Sequence, residues 1–413
     1  MKFVADFHIH SRFARATSKD LNLENLDKWA KIKGIKVLGT GDFTHPLWFQ
    51  ELKENLRPAE PGLYSFNGGE ARFVLTSEIS CIYSKNNRVR KIHVLLFAPS
   101  LETADKINAK LGWIGNLKSD GRPILGLDAK ELAKIVFNIS EDCLVVPAHA
   151  WTPWFSIFGS KSGFDSIEEC FEEYSKYIYA IETGLSSDPA MNWRLSALDK
   201  ITLISNSDCH SGPKMGREAN VFDTELSYSG IRNAIKEKDP QKFLYTIEFF
   251  PEEGKYHYDG HRLCNISLKP EDSKKYNNLC PVCGKHLTIG VLNRVEELAD
   301  RPDGFKPEGA IPQKSLIPLS EIIADVLGVT PGTKQVDKEY KNLIEKLGTE
   351  LNILLDITEG DLASATLPEI AEGILRVRKR EVFIEPGYDG VYGKIKIFSK
   401  EEQKKPIRQK TLL

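Results

Sequence analysis

Lys2-Phe3-Val4-Ala5-Asp6-Phe7-His8-Ile9-His10 decides how the rest of this chain is read. An apolar run ends on a carboxylate, and two histidines follow at positions i and i+2. Residues two apart on an extended strand share a face, so His8 and His10 can grip one ion together. Working outward, Ser207-Asp208-Cys209-His210 comes two residues after the apolar run Ile201-Thr202-Leu203-Ile204. His45, His93 and His149 each follow or lie in another strand-like run. Imidazoles and carboxylates gathered at strand ends are how a barrel enzyme holds hydrolytic metal ions.

The runs themselves define the fold class. Phe3-Val4-Ala5 precedes a helical stretch over 23–33, which Gly34 ends, and Ile35-Lys36-Val37-Leu38-Gly39 reads as the next strand. Phe73-Val74-Leu75, 92–97, Leu144-Val145-Val146, 177–181 and Thr202-Leu203-Ile204 are further short strand-like runs, with helical patterns at 101–111, 129–137 and 192–198 between them. Such alternation predicts an α/β protein whose parallel strands are covered by helices. About seven such units favour a closed barrel over an open sheet. In such barrels the chemistry sits on loops leaving the C-terminal strand ends, where His8, Asp42, Glu78, His149 and Asp208 all fall.

Composition bounds the rest. The 413 residues suggest two or three domains, and 41% hydrophobic with 28% charged residues is ordinary for a globular protein. No apolar run approaches the roughly 20 residues needed to cross a bilayer. The start lacks the apolar core of a signal peptide, so no membrane partner and a cytoplasmic location are expected. A net charge of −2 gives no general attraction to nucleic acid. The expected division is a metal-hydrolase barrel over 1–253, a metal-binding module over 254–300, a mainly helical region over 301–400 and a basic flexible tail over 401–413.

Three of the seven cysteines crowd into 264–283, which favours a metal site over a disulfide framework. His261 and Cys264, followed by Cys280 and Cys283, match a closed structural zinc site with one imidazole and three thiolates. His257 and His286 are alternative fourth ligands.

Taken in order, Asp6-Phe7-His8-Ile9-His10, Gly39-Thr40-Gly41-Asp42-Phe43-Thr44-His45, Thr76-Ser77-Glu78, Lys91-Ile92-His93-Val94, Pro147-Ala148-His149 and Ser207-Asp208-Cys209-His210 resemble the polymerase-and-histidinol-phosphatase (PHP) metal-hydrolase superfamily. The resemblance implies a distorted (β/α)7 barrel holding two to three divalent ions, zinc, magnesium or manganese. His8, His10, Glu78 and Asp208 would hold the first ion. Glu78 would bridge to a second held with His93 and His149. Asp42 or His45, together with His210, would hold a third. Glu78, Asp208 and His210 would be the catalytic groups. Two departures bear on the third position: Ser11 to Lys19 contains no histidine, and the superfamily's Thr-Asp-His is stretched here to Gly41-Asp42-Phe43-Thr44-His45. Such ions lower the pKa of water from 15.7 towards ~7, which makes hydroxide available for attack on phosphorus.

About 160 residues beyond the barrel suit a large polyanionic substrate, and Arg376-Val377-Arg378-Lys379-Arg380 is basic enough to meet phosphates. Arg194 and Arg217 would add positive charge beside the ions. Trp151, Trp154 and Phe155 follow His149 closely and suit wedging into a duplex or stacking on an unstacked base. The whole layout is similar to a repair-nuclease branch of the superfamily, found in archaea and some bacteria. That similarity implies incision of double- or single-stranded DNA on the 5′ side of uracil, hypoxanthine, xanthine or an abasic site, with the lesion flipped beside the metals. Gln409 and Leu412 resemble the first half of a sliding-clamp-binding motif, whose aromatic pair is missing as in a truncated chain. The alternatives are a small-molecule phosphatase of the same superfamily and a non-catalytic DNA-binding module.

Overall fold

The computed structural model describes residues 1–399 and Glu402. Gln409 and Leu412, the expected clamp-binding pair, lie outside the described residues, as does most of the expected flexible tail. Among the described residues no helix is long and apolar enough to cross a membrane.

Seven strands form the frame of the site: β1 (Lys2–Asp6), β2 (Val37–Gly39), β3 (Arg72–Lys85), β4 (Arg88–Ala98), β5 (Leu144–Pro147), β6 (Ala180–Glu182) and β7 (Thr202–Ile204). β1, β2 and β3 run parallel. The β3–β4 and β4–β5 pairs are antiparallel. β6 and β7 are parallel again. Backbone hydrogen bonds from Ala150 to Glu182 (2.9 Å) and from His10 to Cys209 (3.2 Å) carry the ring from β5 to β6 and from the end of β7 back to β1.

Alternation along the strands sorts their side chains into two apolar clusters. Phe7, Val74, Leu95, Phe97, Val146, Ile204 and Phe222 belong to one. Their neighbours Phe73, Leu75, Val94, Leu96, Val145, Leu203 and Val221 belong to the other, which also takes in the surrounding helices. A period of two that fills both faces of every strand is what a helix-covered sheet requires.

The expected wholly parallel barrel is replaced by a mixed sheet. Asn86 and Asn87 take left-handed φ values of 54° and 58° and turn β3 directly into β4. Those are the conformations a two-residue hairpin turn demands, so no helix separates the two strands. β8 (Ala219–Asp223) lies antiparallel to β1 and to β9 (Phe243–Glu248), and Gln313–Ser315 adds in parallel to β9. The main sheet therefore annexes a strand from beyond residue 301, and the C-terminal helices begin at Leu319–Leu327. Lys33 and Glu350, both buried, form a 2.5 Å ion pair that joins helix Leu23–Lys33 to this helical region.

Several local readings hold. Asn22 caps the helix Leu23–Lys33, and Gly34 ends it at φ 85°. Helices Leu101–Leu111 and Ala129–Ile139 lie where periodicity placed them. The pattern at 192–198 instead breaks into a short helix, Pro189–Asn192, and a single 3-10 turn, Ser196–Leu198.

Candidate metal centre

The two histidines that open the chain sit where β1 leaves the sheet. Their Nε2 atoms face Glu78 of β3, at 3.4 Å from His8 and 3.3 Å from His10, both measured to Oε2. Asp208 Oδ1 approaches the same two nitrogens at 3.7 and 3.1 Å. The other oxygen of Glu78, Oε1, faces His93 Nδ1 at 2.7 Å and His149 Nε2 at 3.1 Å. One carboxylate thus belongs to two groups, His8–His10–Glu78–Asp208 and Glu78–His93–His149, each with ligand atoms within 4.8 Å of one another.

Burial makes this arrangement chemically pointed. His8 Nε2, His10 Nε2 and Asp208 Oδ1 are buried without a hydrogen-bond partner of proper geometry, and all three converge on Glu78. Leaving such atoms unpaired is costly, and a cation at their focus relieves the cost. The donor set fits divalent ions: imidazole nitrogen and carboxylate oxygen suit zinc, manganese or iron.

A second layer fixes which nitrogen is offered. His8 Nδ1 donates to Glu182, 3.0 Å from either oxygen. His10 Nδ1 donates to Asp42 Oδ1 at 2.9 Å. Each bond holds the proton on Nδ1 and leaves the Nε2 lone pair for a metal. Glu182 also accepts from the His149 amide and from Asn206 Nδ2, both at 2.8 Å. Asp42, His149 and Asp208 hold left-handed φ values of 50°, 31° and 44°. Non-glycine residues adopt that region under constraint, and such strain collects at functional sites.

The electrostatics of the metal-free cluster follow from these contacts. Burial alone would depress His8, but Glu182, Glu78 and Asp208 outweigh it and hold the imidazole well above its ordinary pKa. His10 is raised in the same way, against burial, by Asp42, Asp208 and Glu78. Burial would raise Glu78, yet His93, Arg122 and His8 pull it well below the carboxylate range. Asp208 is likewise lowered, against burial, by His8 and His10. His93 goes the other way, brought down to about 4 by burial.

The remaining expected residues divide. Asp42 is fully occupied: Oδ2 accepts from the Ser11 amide (2.6 Å) and hydroxyl (2.7 Å), while Oδ1 holds His10. His45 stacks on Phe13 at 4.4 Å between ring centroids. The His210 ring packs on His10 at 4.8 Å, with Nδ1 donating to the Asp208 carbonyl at 2.9 Å. None of the three is among the ligand atoms of either group. Of the three, only Asp42 has both its oxygens engaged, while His45 Nδ1 is buried without a hydrogen-bond partner.

Trp151 is buried, packed on Phe158 and hydrogen-bonded to Asn192 at 2.8 Å, so it supports the core and does not reach solvent. Trp154 is 40% exposed, and Phe155 lies 4.8 Å from the His93 ring. Four arginines are tied up internally. Arg194 holds Glu296 at 2.5 Å, and Arg217 gives Nε and Nη2 to the Ser207 carbonyl at 3.0 and 2.9 Å. Arg376 pairs with Glu372 and Glu402 at 2.7 and 2.8 Å. Arg378 donates to the carbonyls of Ile353, Leu354 and Ile357 at 2.6–2.8 Å.

His261, Cys264, Cys280 and Cys283 converge as a third group, with His261 Nδ1 3.5 Å from Cys283 Sγ. His257 and His286 stand outside it. Burial opposes ionisation of the Cys280 thiol, but the amides of Cys283 and Val282 outweigh it and bring the pKa down to about 6. A thiol so disposed is ready to bind metal as thiolate.

Two residues of the centre escaped sequence reading. Glu182 comes directly after the run read as 177–181, so the strand-end rule would have found it one residue later. Arg122, whose Nη1 lies 3.2 Å from Glu78 Oε2, sits in an aperiodic loop that carries no signal.

A carboxylate shared by two imidazole-rich groups, at one end of a helix-covered sheet, is the construction of a metal-dependent phosphodiesterase, and this chain is of that class. It superposes on the lesion-specific endonuclease PfuEndoQ from Pyrococcus furiosus with TM-score 0.87 and 33% identity, over 98% of each chain. It also matches an endonuclease Q crystallised with a 27-mer duplex carrying an abasic lesion at its active site, with TM-score 0.85 and 32% identity over the full length of both. A family model described as the MJ0043 C-terminal domain matches residues 318–381. The Methanocaldococcus jannaschii protein MJ0043 is 34% identical over 309 residues, 70% of this chain and 37% of its own length, so the chain spans just over a third of that relative. The chain belongs to the endonuclease Q family.

Proposed function

We propose that this protein is a metal-dependent DNA-repair endonuclease. It cuts the phosphodiester bond 5′ to deaminated bases (uracil, hypoxanthine, xanthine) and abasic sites, with the lesion flipped beside the metals. The observation that carries the reading is Glu78, which offers one oxygen to His8, His10 and Asp208 and the other to His93 and His149. His8, His10, Glu78 and Asp208 would hold one ion, and Glu78, His93 and His149 a second. Divalent ions there would supply an acidified water and neutralise charge on the phosphoryl oxygens.

The protein's own part is positional. Glu78 spaces the two groups, while Glu182 and Asp42 keep both Nε2 lone pairs aimed inward. The Asp208 side chain is 27% exposed and His8, His10 and Glu78 are nearly closed off, so substrate enters on the Asp208 side. Trp154 and Phe155 would stack on the displaced nucleotide. Damaged pairs cost least to open, which favours lesions over intact duplex. The ring of strands supports a distorted (β/α)7 barrel over 1–253. The group of His261, Cys264, Cys280 and Cys283 would hold one structural zinc within 254–300, and 301–400 would form a mainly helical platform on the DNA.

Incubation with duplexes carrying one uracil, hypoxanthine or abasic site, with Mn²⁺ or Mg²⁺, tests the reading. A nick 5′ to the lesion is expected. Asp208→Ala should lose cleavage and keep DNA binding in gel-shift assays. No nick, together with phosphate release from a monoester, would favour a small-molecule phosphatase.

A further inference from the structure

We propose that Arg122 is a catalytic residue, its guanidinium binding the non-bridging oxygens of the scissile phosphodiester. The inference rests on the phosphodiesterase reading and adds to it the group that grips the substrate's charge. The arginines expected to do this from sequence are committed elsewhere: Arg217 to the Ser207 carbonyl and Arg194 to Glu296. Arg122 instead reaches Glu78 Oε2 at 3.2 Å, the same oxygen that faces His8 and His10 Nε2. Its side chain is 26% exposed, so it stands at the mouth of the centre and has access to solvent.

The backbone under Arg122 is built into the site from both sides. Asp120 Oδ1 accepts from the amides of Arg15 (3.1 Å) and Arg122 (3.2 Å), and the Gly121 amide donates to the Phe13 carbonyl at 3.0 Å. The carbonyl of Pro123 accepts from Ser80 at 3.0 Å, on the strand that carries Glu78. Gly121 packs where a Cβ would collide with Asp42 Oδ2, so the loop closes directly on the carboxylate that orients His10.

Charge decides what the guanidinium does. The four carboxylates of Glu78, Asp208, Glu182 and Asp42 would together balance two divalent ions. An anionic phosphodiester and an attacking oxygen then arrive uncompensated. An Arg122 held against Glu78 Oε2 competes for the lone pairs a metal ligand must offer, and it is repelled by any cation bound there. Displaced from that oxygen, its planar fork is matched to two phosphoryl oxygens.

The test uses the full chain with Mn²⁺ and an abasic-site duplex, comparing the parent with Arg122→Gln and Arg122→Lys. Removing one such donor costs about 10²–10³-fold in kcat, so that loss is expected for Arg122→Gln, with partial recovery in Arg122→Lys. Orthophosphate binding to the Mn²⁺-loaded protein, read by calorimetry, should weaken in Arg122→Gln, while manganese content by elemental analysis stays at the parent level. Parent-like kcat and phosphate binding would overturn the proposal. So would a loss of activity that follows lost manganese and returns when manganese is raised, since that marks a counter-ion of Glu78 alone. A parent that cuts no duplex would instead defeat the phosphodiesterase reading itself.

Discussion

Glu182→Gln is the sharpest test of how the centre is organised. The carboxylate is fully buried and serves three donors: His8 Nδ1 at 3.0 Å, the His149 amide at 2.8 Å and Asn206 Nδ2 at 2.8 Å. A carboxylate accepts on both oxygens, whereas an amide accepts on one and donates from the other. Whichever way the substituted amide turns, its NH₂ meets a donor. Either that donor loses its partner, or His8 moves its proton to Nε2 and closes the lone pair facing Glu78. A buried donor left unsatisfied costs ~1–3 kcal/mol, which at ~1.4 kcal/mol per decade is about 5- to 150-fold. Losing the partner of a metal-binding histidine elsewhere costs about 10–100-fold in affinity or activity, which agrees. Manganese titration by calorimetry, alongside cleavage as a function of manganese concentration, reads it out. Half-saturation should move up by that factor, and kcat should return towards the parent once manganese saturates. Unchanged manganese affinity in a folded Glu182→Gln protein would refute the tautomer argument. A fall in kcat with parent affinity would assign Glu182 to the chemical step.

Other consequences follow from the same contacts. Lys33 and Glu350 are a buried pair, and Tyr340 also donates to Glu350 at 2.5 Å. Lys33→Met should therefore cost about 3–5 kcal/mol in urea denaturation, with much of it recovered in Lys33→Met/Glu350→Leu; an additive double variant would contradict this. His8 and His10 are raised above the ordinary value of about 6.5, so in the metal-free protein their stabilising contribution is full below that pH and is lost as pH rises through the raised values. A divalent ion displaces those protons, so its affinity should climb with pH; titrations in buffers of different ionisation enthalpy should show proton release, and a flat profile would count against the assignment. Cys280→Ser should remove zinc from the His261–Cys264–Cys280–Cys283 group without changing manganese binding at Glu78, and unaltered zinc content by elemental analysis would defeat it.

Much of the centre was legible because strand ends announce themselves. A strand-like run closing on a histidine or acid is a short-range signal, and it placed His8, His10, Glu78, His93, His149 and Asp208. Paired spacing did the same for His261, Cys264, Cys280 and Cys283. What stayed hidden was whatever depends on a partner distant in sequence. Asp42 looks like a ligand until Ser11 and His10 are seen to take both its oxygens. Within the basic run, nothing in the sequence tells that Arg378 holds the carbonyls that end helix Glu350–Leu355. Phe73-Val74-Leu75 and 92–97 read as two strand-like runs of a parallel barrel, whereas Asn86-Asn87 turns one straight back on the other as an antiparallel hairpin.

That hairpin explains why the shared ligand is Glu78 and no other residue. A carboxylate that spaces two metal groups must not move, since a shift opens one group as it closes the other. Glu78 sits opposite Leu95 within an unbroken ladder from Leu75–Ala98 to Lys85–Arg88. Ile79, Cys81, Ile92 and Val94 pack its outer face into the main core. Ser80 pairs with His93, which puts His93 diagonally beside Glu78 on one face, so those two ligands share a single rigid unit. His149 and Asp208 come instead from strand-end turns with left-handed φ, held by Glu182 and by the His8 and His10 contacts. Stiffness is concentrated on the ligand common to both groups, and the strained turns bring the others to it. A helix between β3 and β4, as a regular parallel barrel would have, would separate Glu78 from His93 and remove that coupling.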